Sequence, residues 1–368
     1  MEKRLLKNME WWIVVWSIAL CIIGLIALFS ATTEAGHSEF KKQIIWVAVS
    51  ICIMIVVMMI DYNVIVKISP ILYGIFIVAL IAVLFTEPIN GAKSWFEIGE
   101  FKFQPAEFAK VFVITFLVFV INKIQEKGKE EINKPLKLLL VLGLLALPLA
   151  LIVLQPDYGT AAAYIVATAI MLLASGIDKK YIIGTVVLIV ILVPIIYIYI
   201  LPSHAKTRIE VYLNPESDPR GSGYNILQSK LAIGAGELTG MGILNGNQTQ
   251  LGYLYPKTTD FIFSVIGEEM GFVVSSGVIL LNVLIITKAI YIAKTAKDDA
   301  GSYIASGIAG IFLFHMLENI GMTMGLLPIT GVPLLFVSYG GSSMITSFIC
   351  IGILLSISAR RQKAIFVK

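Results

Sequence analysis

The chain has 368 residues, of which 58% are hydrophobic and 14% charged, and its mean hydropathy is +0.88. That apolar content exceeds the roughly 45–50% of soluble domains and predicts an all-α polytopic membrane protein, one integral domain over 1–368. The net charge of +4 sits in separate clusters at the ends of apolar runs, so a nucleic-acid-binding stripe is excluded.

Apolar stretches of span length fall at about 11–31, 42–60, 64–86, 105–123, 136–154, 160–176, 180–200, 261–287, 303–325 and 339–358, which predicts about ten transmembrane helices. The first run, Trp11 to Phe29 behind Lys3, Arg4 and Lys7, is longer than the roughly 7–15 residues of a signal-peptide core and reads as a retained span. Cys21, Cys52 and Cys350 lie in apolar runs without metal-type spacing and are expected to pack in the core. With the N-terminus in the cytoplasm, the inner segments are the tail, the 123–137 loop, the Asp178–Lys180 turn, the 288–302 loop and the residues after Ala359. They carry 17 of the 28 Lys and Arg, the orientation the positive-inside rule favours, and ten spans return the C-terminus to the same side.

The unusual polar residues then gather on the outer side. Trp95, in GAKSWFEIGEFKFQPAE, suits an interfacial aromatic belt. Glu107 and Lys110 open the fourth span three residues apart, just after Pro105, and form at least an ion pair. Asp157, in QPDYGT, suits an Asx-type turn between two spans. A long loop, about 201–260, separates helices 7 and 8. Its stretch SKLAIGAGELTGMGILNGNQTQLG is too polar to span and is expected to lie along the interface as short helices and turns. Asp260 ends this loop behind Thr258 and Thr259, where a carboxylate also serves as a helix cap. Glu268 and Glu269 follow about 12–14 Å further along the helix axis. As sequence neighbours they point in different directions, so they are not a shared-proton pair. Further on, His315, Glu318 and Asn319 suit hydrogen-bonding between helices. Ionisable groups in spans are costly and usually face a bundle interior or a wet cavity, so each has a functional reading beside the structural one. No GxxxxGK[ST], HExxH or GxSxG motif occurs, which removes support for nucleotide-driven transport and the common hydrolases.

Five segments, GAKSWFEIGEFKFQPAEFAK, QPDYGTA, LNPESDPRGSGYNILQSKLAIGAGELTGMGILNGNQTQLG, TTDFIFSVIGEEMGF and NIGMTMGLLPITGVPLLFVSYGGSS, resemble the SEDS family (shape, elongation, division and sporulation), within it the RodA branch. The resemblance runs from about residue 91 to 343. It implies a ten-helix fold and a peptidoglycan glycosyltransferase that polymerises lipid II at the outer face of the bacterial cytoplasmic membrane. The partners it implies are a class B penicillin-binding protein, the cell-wall elongation machinery and membrane lipids. It assigns the essential carboxylate to Asp260, places Glu107 and Lys110 along a central cavity, and marks Trp95 and Asp157 as functional. The chain departs from the family pattern at Thr259, where His is usual, and at Leu335, where Pro is usual.

For that reaction Asp260 is expected to be the general base, and Lys110, Lys206 and Arg208 are expected to stabilise the departing diphosphate, with or without a divalent cation (Mg or Mn). Glu107 either holds Lys110 or shares a metal with Asp260. Two other classes remain open from the residues: a lipid II flippase, and a non-catalytic scaffold for cell-wall enzymes.

Overall fold

The computed structural model describes residues 3–89, 92–99, 101–184 and 221–361, with scattered positions between 187 and 218. Its helices are α1 (Lys3–Asn8), α2 (Trp12–Ala31), α3 (Ser38–Met59), α4 (Tyr62–Ala82), α5 (Pro105–Gln125), α6 (Pro135–Leu154), α7 (Tyr158–Ala174), α8 (Ser222–Ala235), α9 (Asn247–Gln250), α10 (Ile262–Thr295), α11 (Asp299–Thr323) and α12 (Gly341–Ala359). Seven of these, α2, α3, α4, α6, α10, α11 and α12, are long and apolar enough to cross a membrane. Nine of the ten expected spans coincide with a helix; the seventh, 180–200, lies mostly outside the described residues, and Arg208 lies wholly outside them.

Local chemistry sets the helix ends. Pro105 and Pro135 occupy the first turns of α5 and α6, where a missing N–H leaves nothing unsatisfied. Asp61, Asp157 and Asp298 cap α4, α7 and α11 by accepting from the N–H groups of Asn63, Thr160 and Gly301. The all-α expectation needs one small correction. Phe96–Ile98 (β1) and Phe101–Phe103 (β2) pair antiparallel, with Phe96 opposite Phe103 and a left-handed Gly99 in the turn. Alternating aromatic and polar residues around a glycine are a hairpin signal that a span search passes over.

The helices differ in depth. In α12 and α11, 89% and 78% of the most apolar stretch is buried, against 22% in α3 and α4. The inner helices are rich in Gly, Ala, Ser and Thr, the small residues that let helix backbones approach where lipid supplies no hydrophobic drive. At Gly310 an added Cβ would lie 2.7 Å from the Cα of Ala167, so α11 and α7 meet backbone to backbone. Cys21 and Cys350 are buried as expected, but Cys52 is exposed on α3. A span that is apolar all round gives no periodic signal to separate its lipid-facing side from its packed side.

The two ends of the bundle are chemically distinct. At one end Lys129 pairs with Asp299 at 2.8 Å, Gln125 and Asn133 donate to the Ser175 and Gly176 carbonyls, and Glu10 meets both Lys288 (3.2 Å) and Arg361. The basic segments expected inside thus come together. At the other end the Gln104 amide donates to Asp157, the Ser94 hydroxyl to the Gln155 carbonyl, and the Tyr339 N–H to the Thr258 carbonyl.

Helix α10 is broken at Gly271 (φ 73°, ψ −172°). The break is filled by the segment after α8 rather than by water. Met241 and Gly242 N–H donate to the carbonyls of Glu268 and Glu269, and Phe272 and Val273 N–H donate to those of Glu237 and Leu238. At Gly240 (φ +83°) an added Cβ would meet the Glu269 carbonyl oxygen at 2.2 Å, so this turn has no room for a side chain. The segment 224–250 forms short helices and turns, and its middle packs backbone to backbone against the broken helix while most side chains of 237–245 stay exposed. Non-helical backbone in a span is tolerated when protein groups satisfy it, and the run of glycines is what lets it fit.

Candidate active site at one end of the bundle

Asp260 stands in the turn before α10, half-buried. The helix begins at Ile262 and its cap position falls on Phe261, one residue after Asp260. The turn is held from across the fold. The Asp260 carbonyl accepts from Asn319 Nδ2 at 2.9 Å, and the same amide donates to the Val332 carbonyl at 2.8 Å. The Thr258 and Thr259 carbonyls accept from the Tyr339 N–H (2.9 Å) and the Ser338 hydroxyl (2.7 Å). On the side-chain side, Gly331 lies against the Asp260 carboxylate: a Cβ added there would sit 3.4 Å from Oδ2. The segment 330–339 is thus a clamp along the residue expected to act. Thr259, where the family pattern has His, contributes a backbone acceptor to this clamp. Leu335, where the pattern has Pro, is packed in the core at 5% exposure.

Glu107 and Lys110 lie on one face of α5, both essentially inaccessible (1% and 0% exposed), with Nζ 3.1 Å from Oε1. The Lys110 ammonium also lies 2.7 Å from His315 Nε2 on α11, and His315 Nδ1 lies 3.0 Å from the Pro333 carbonyl. A carbonyl can only accept, so Nδ1 carries the proton and Nε2 presents its lone pair to the ammonium. Glu107 Oε2 is buried with no hydrogen-bond partner.

His315 and Asn319 are four residues apart and share a face of α11. One reaches Lys110 and the Pro333 carbonyl; the other reaches the Asp260 and Val332 carbonyls. The base candidate and the cation candidate are therefore fastened to neighbouring links of one segment, about one helical turn apart along α11. Next to Asn319, Glu318 accepts from Thr330 at 2.7 Å, tying the same segment once more. These three residues act as polar fasteners: His315 joins α11 to α5 and to the 330–339 segment, while Glu318 and Asn319 join α11 to non-helical segments.

Asp157 caps α7 by accepting from Thr160 N–H (3.1 Å) and also accepts from Gln104 Nε2 (2.9 Å), which fixes the residue before α5. Burial pushes its carboxyl above the ordinary value, the Thr160 hydrogen bonds oppose this, and Glu107 raises it further. Trp95 is half-buried beside Ser94 and makes no hydrogen bond to this cluster among the described residues. Lys206 donates to the Ile198 carbonyl at 2.9 Å. Glu268 and Glu269 lie on α10 and hold the re-entrant 236–250 segment. Glu268 accepts from Gln248 N–H, Thr249 N–H and the Thr249 hydroxyl, and Glu269 from Ser30 and Gln250.

Sequence reading passed over Gln104, Thr330 and the paired carbonyls of Val332 and Pro333. Backbone acceptors leave no mark in residue type; the i, i+4 spacing of His315 and Asn319 was the available signal. Among the described residues no group of three His, Cys, Asp or Glu side chains is arranged to hold a metal ion, and the paired oxygen of Glu107 is taken by Lys110. The residues present do not form a protein-built cation site, and no chemical step is derived through one.

Comparison with known proteins bears on the family and the fold. The FtsW/RodA/SpoVE family model, described as cell cycle protein, matches residues 10–363. Relatives include peptidoglycan glycosyltransferase RodA of Treponema pallidum, 32% identical over 98% of this chain and 100% of that one. Peptidoglycan glycosyltransferase MrdB of Escherichia coli K12 is 36% identical over 94% and 92%. Stage V sporulation protein E of Bacillus subtilis is 32% identical over 94% and 96%. Among solved structures, a peptidoglycan synthase complex that coordinates polymerization and crosslinking matches with a TM-score of 0.82 at 25% identity, over 95% of this chain and 97% of that one. Thermus thermophilus rod shape determining protein RodA shares the fold at a TM-score of 0.71 and 22% identity, over 96% and 98%. Matched by the family model over residues 10–363 and by relatives of 32–36% identity over nearly its whole length, the chain belongs to the FtsW/RodA/SpoVE family of multi-pass membrane proteins.

Proposed function

We propose that the chain is a peptidoglycan glycosyltransferase that lengthens glycan strands from lipid II and serves cell elongation and shape. Relatives over nearly its full length carry the enzyme's name, and the arrangement of Asp260 and Lys110 suits the chemistry. The 4-hydroxyl of one sugar attacks C1 of another, whose bond to the lipid diphosphate breaks with its electron pair leaving on the diphosphate. A sugar hydroxyl is a weak nucleophile at neutral pH, and Asp260 takes its proton as the new bond forms, a contribution of roughly 10²–10⁴ in rate. Lys110, held by Glu107 and His315, meets the charge that develops on the leaving group.

The observation that carries this assignment is the shared frame: His315 and Asn319, one turn apart, hold Lys110 and the Asp260 turn against adjacent carbonyls. Positive-inside charge and the gathering of basic segments at one end support cytoplasmic termini and an outward-facing site. A crosslinking partner of the class B penicillin-binding type is supported by the likeness to a synthase complex that couples polymerization to crosslinking. A divalent cation, if used, would enter with the substrate diphosphate, as Mg²⁺ does when proteins supply one or two carboxylates.

The break in α10 is the kind of discontinuity that transporters place at a cargo site. Here the backbone groups flanking Gly271 are taken by residues 237–242, which leaves the flippase reading without a vacant site at the break. Purified protein with labelled lipid II, with and without its transpeptidase, separates the two: glycan ladders mark the polymerase, and lipid movement across liposomes without ladders marks the flippase. Asp260→Ala and Asp260→Asn are expected to abolish ladders while melting as the parent does. Full activity in the Asn variant would remove the base role.

A further inference from the structure

We propose that His315 is the positioning residue of this site: it fixes the Lys110 ammonium at one place relative to Asp260 and leaves one of its N–H groups for the anionic part of the substrate. The inference rests on the reading of Lys110 as the leaving-group cation and adds how that cation is kept in register. An ammonium has three donors on a long flexible stem, so a buried lysine aims at nothing unless its partners decide the direction. Two partners decide it here: Glu107 Oε1 at 3.1 Å from the same helix, and His315 Nε2 at 2.7 Å from another. The third N–H has no acceptor among the described residues.

Glu107 alone would let the ammonium swing about α5, because both groups share one helix. His315 supplies the second point from α11 and is itself braced, since Nδ1 donates to the Pro333 carbonyl at 3.0 Å and so holds the tautomer that keeps Nε2 bare. The adjacent Val332 carbonyl is bonded to Asn319, which holds the Asp260 carbonyl. Lys110 and Asp260 are thus located by neighbouring residues of one segment. A shift of that segment moves both, and loss of His315 frees one.

The test uses the purified full-length protein with its transpeptidase. The chain has three histidines, so ¹⁵N-histidine labelling gives a resolvable set, and the His315 signals are those lost in His315→Gln. The expected spectrum shows a proton on Nδ1 and a bare Nε2, whose signal moves in Lys110→Met. A proton on Nε2, or no response to Lys110→Met, overturns the proposal without any variant of His315 having to fold. In lipid II polymerisation, His315→Leu is expected to lower kcat roughly tenfold or more with little change in KM, because the misplaced charge matters in the transition state. His315→Gln offers an amide oxygen to the ammonium and an N–H to the Pro333 carbonyl, and is expected to recover most of that loss. Equal kcat in the folded Leu and Gln variants overturns the positioning role. Full activity in Lys110→Met sinks the cation reading itself, whereas an inactive Lys110→Met beside a fully active His315→Leu sinks the His315 inference alone.

Discussion

Glu268 and Glu107 are two fully buried carboxylates on neighbouring parts of one bundle, and their surroundings differ in kind. Both oxygens of Glu268 are engaged: Oε1 accepts from the Gln248 N–H and Oε2 from the Thr249 N–H and hydroxyl, at 2.7 to 3.0 Å. Glu107 uses one oxygen, on Lys110, and the other has no partner. A saturated carboxylate bonded to backbone is a fastener, and here it pins the re-entrant segment to the broken helix. A buried carboxylate left half-used beside a cation costs free energy that no local contact returns, which is the mark of a group kept for a substrate. Glu269 falls between, with Ser30 and Gln250 on one oxygen and none on the other.

The sharpest way to break this contrast is at Lys110. Lys110→Met is expected to lower polymerisation by about 10²–10³, and the stranded Glu107 charge to lower stability by about 3–5 kcal/mol. Lys110→Met with Glu107→Gln should restore the melting temperature and leave glycan synthesis lost. Recovery of both together would make the pair a fastener like Glu268.

Glu268→Ala carries the reverse expectation. It strands two backbone N–H groups and a hydroxyl, so a loss of about 3 kcal/mol in unfolding and faster proteolysis within 236–250 should follow. If this variant melts as the parent does, the re-entrant segment is held by something else. Gly240→Ala probes the same contact by size: its Cβ would lie 2.2 Å from the Glu269 carbonyl at a positive φ, and about 1–3 kcal/mol of stability should go. The smallest effect belongs to the basic end. Lys129 and Asp299 form a 2.8 Å pair with side chains 70% and 48% exposed, and Lys129→Ala should change stability by at most about 0.5 kcal/mol and leave glycan synthesis as it was.

Most of the spans, the grouping of basic residues at one end and the candidates for the acting groups were legible in the sequence. Apolar run length against bilayer thickness is a one-dimensional quantity, and Asp260, Glu107 and Lys110 are conspicuous in runs that exclude charge. For 224–250 the sequence shows a polar glycine-rich segment but not the acceptors it bonds. Those acceptors are carbonyls exposed by a break at Gly271 that residue types do not announce.

Amino-acid order by itself determined which residues are too polar to face lipid and which segments carry the basic residues. The tertiary structure alone decided which of the polar residues became saturated fasteners and which were left with an unpaired atom beside a cation. That division depends on how many hydrogen-bond partners surround each charged group, and the partners come from residues distant in the chain: Thr249 for Glu268, and for the Lys110 and Asp260 frame, His315, Asn319 and the carbonyls of Val332 and Pro333. Hydrogen bonds fall off within a few tenths of an ångström, so their pattern is fixed by packed helices and not by spacing along a sequence.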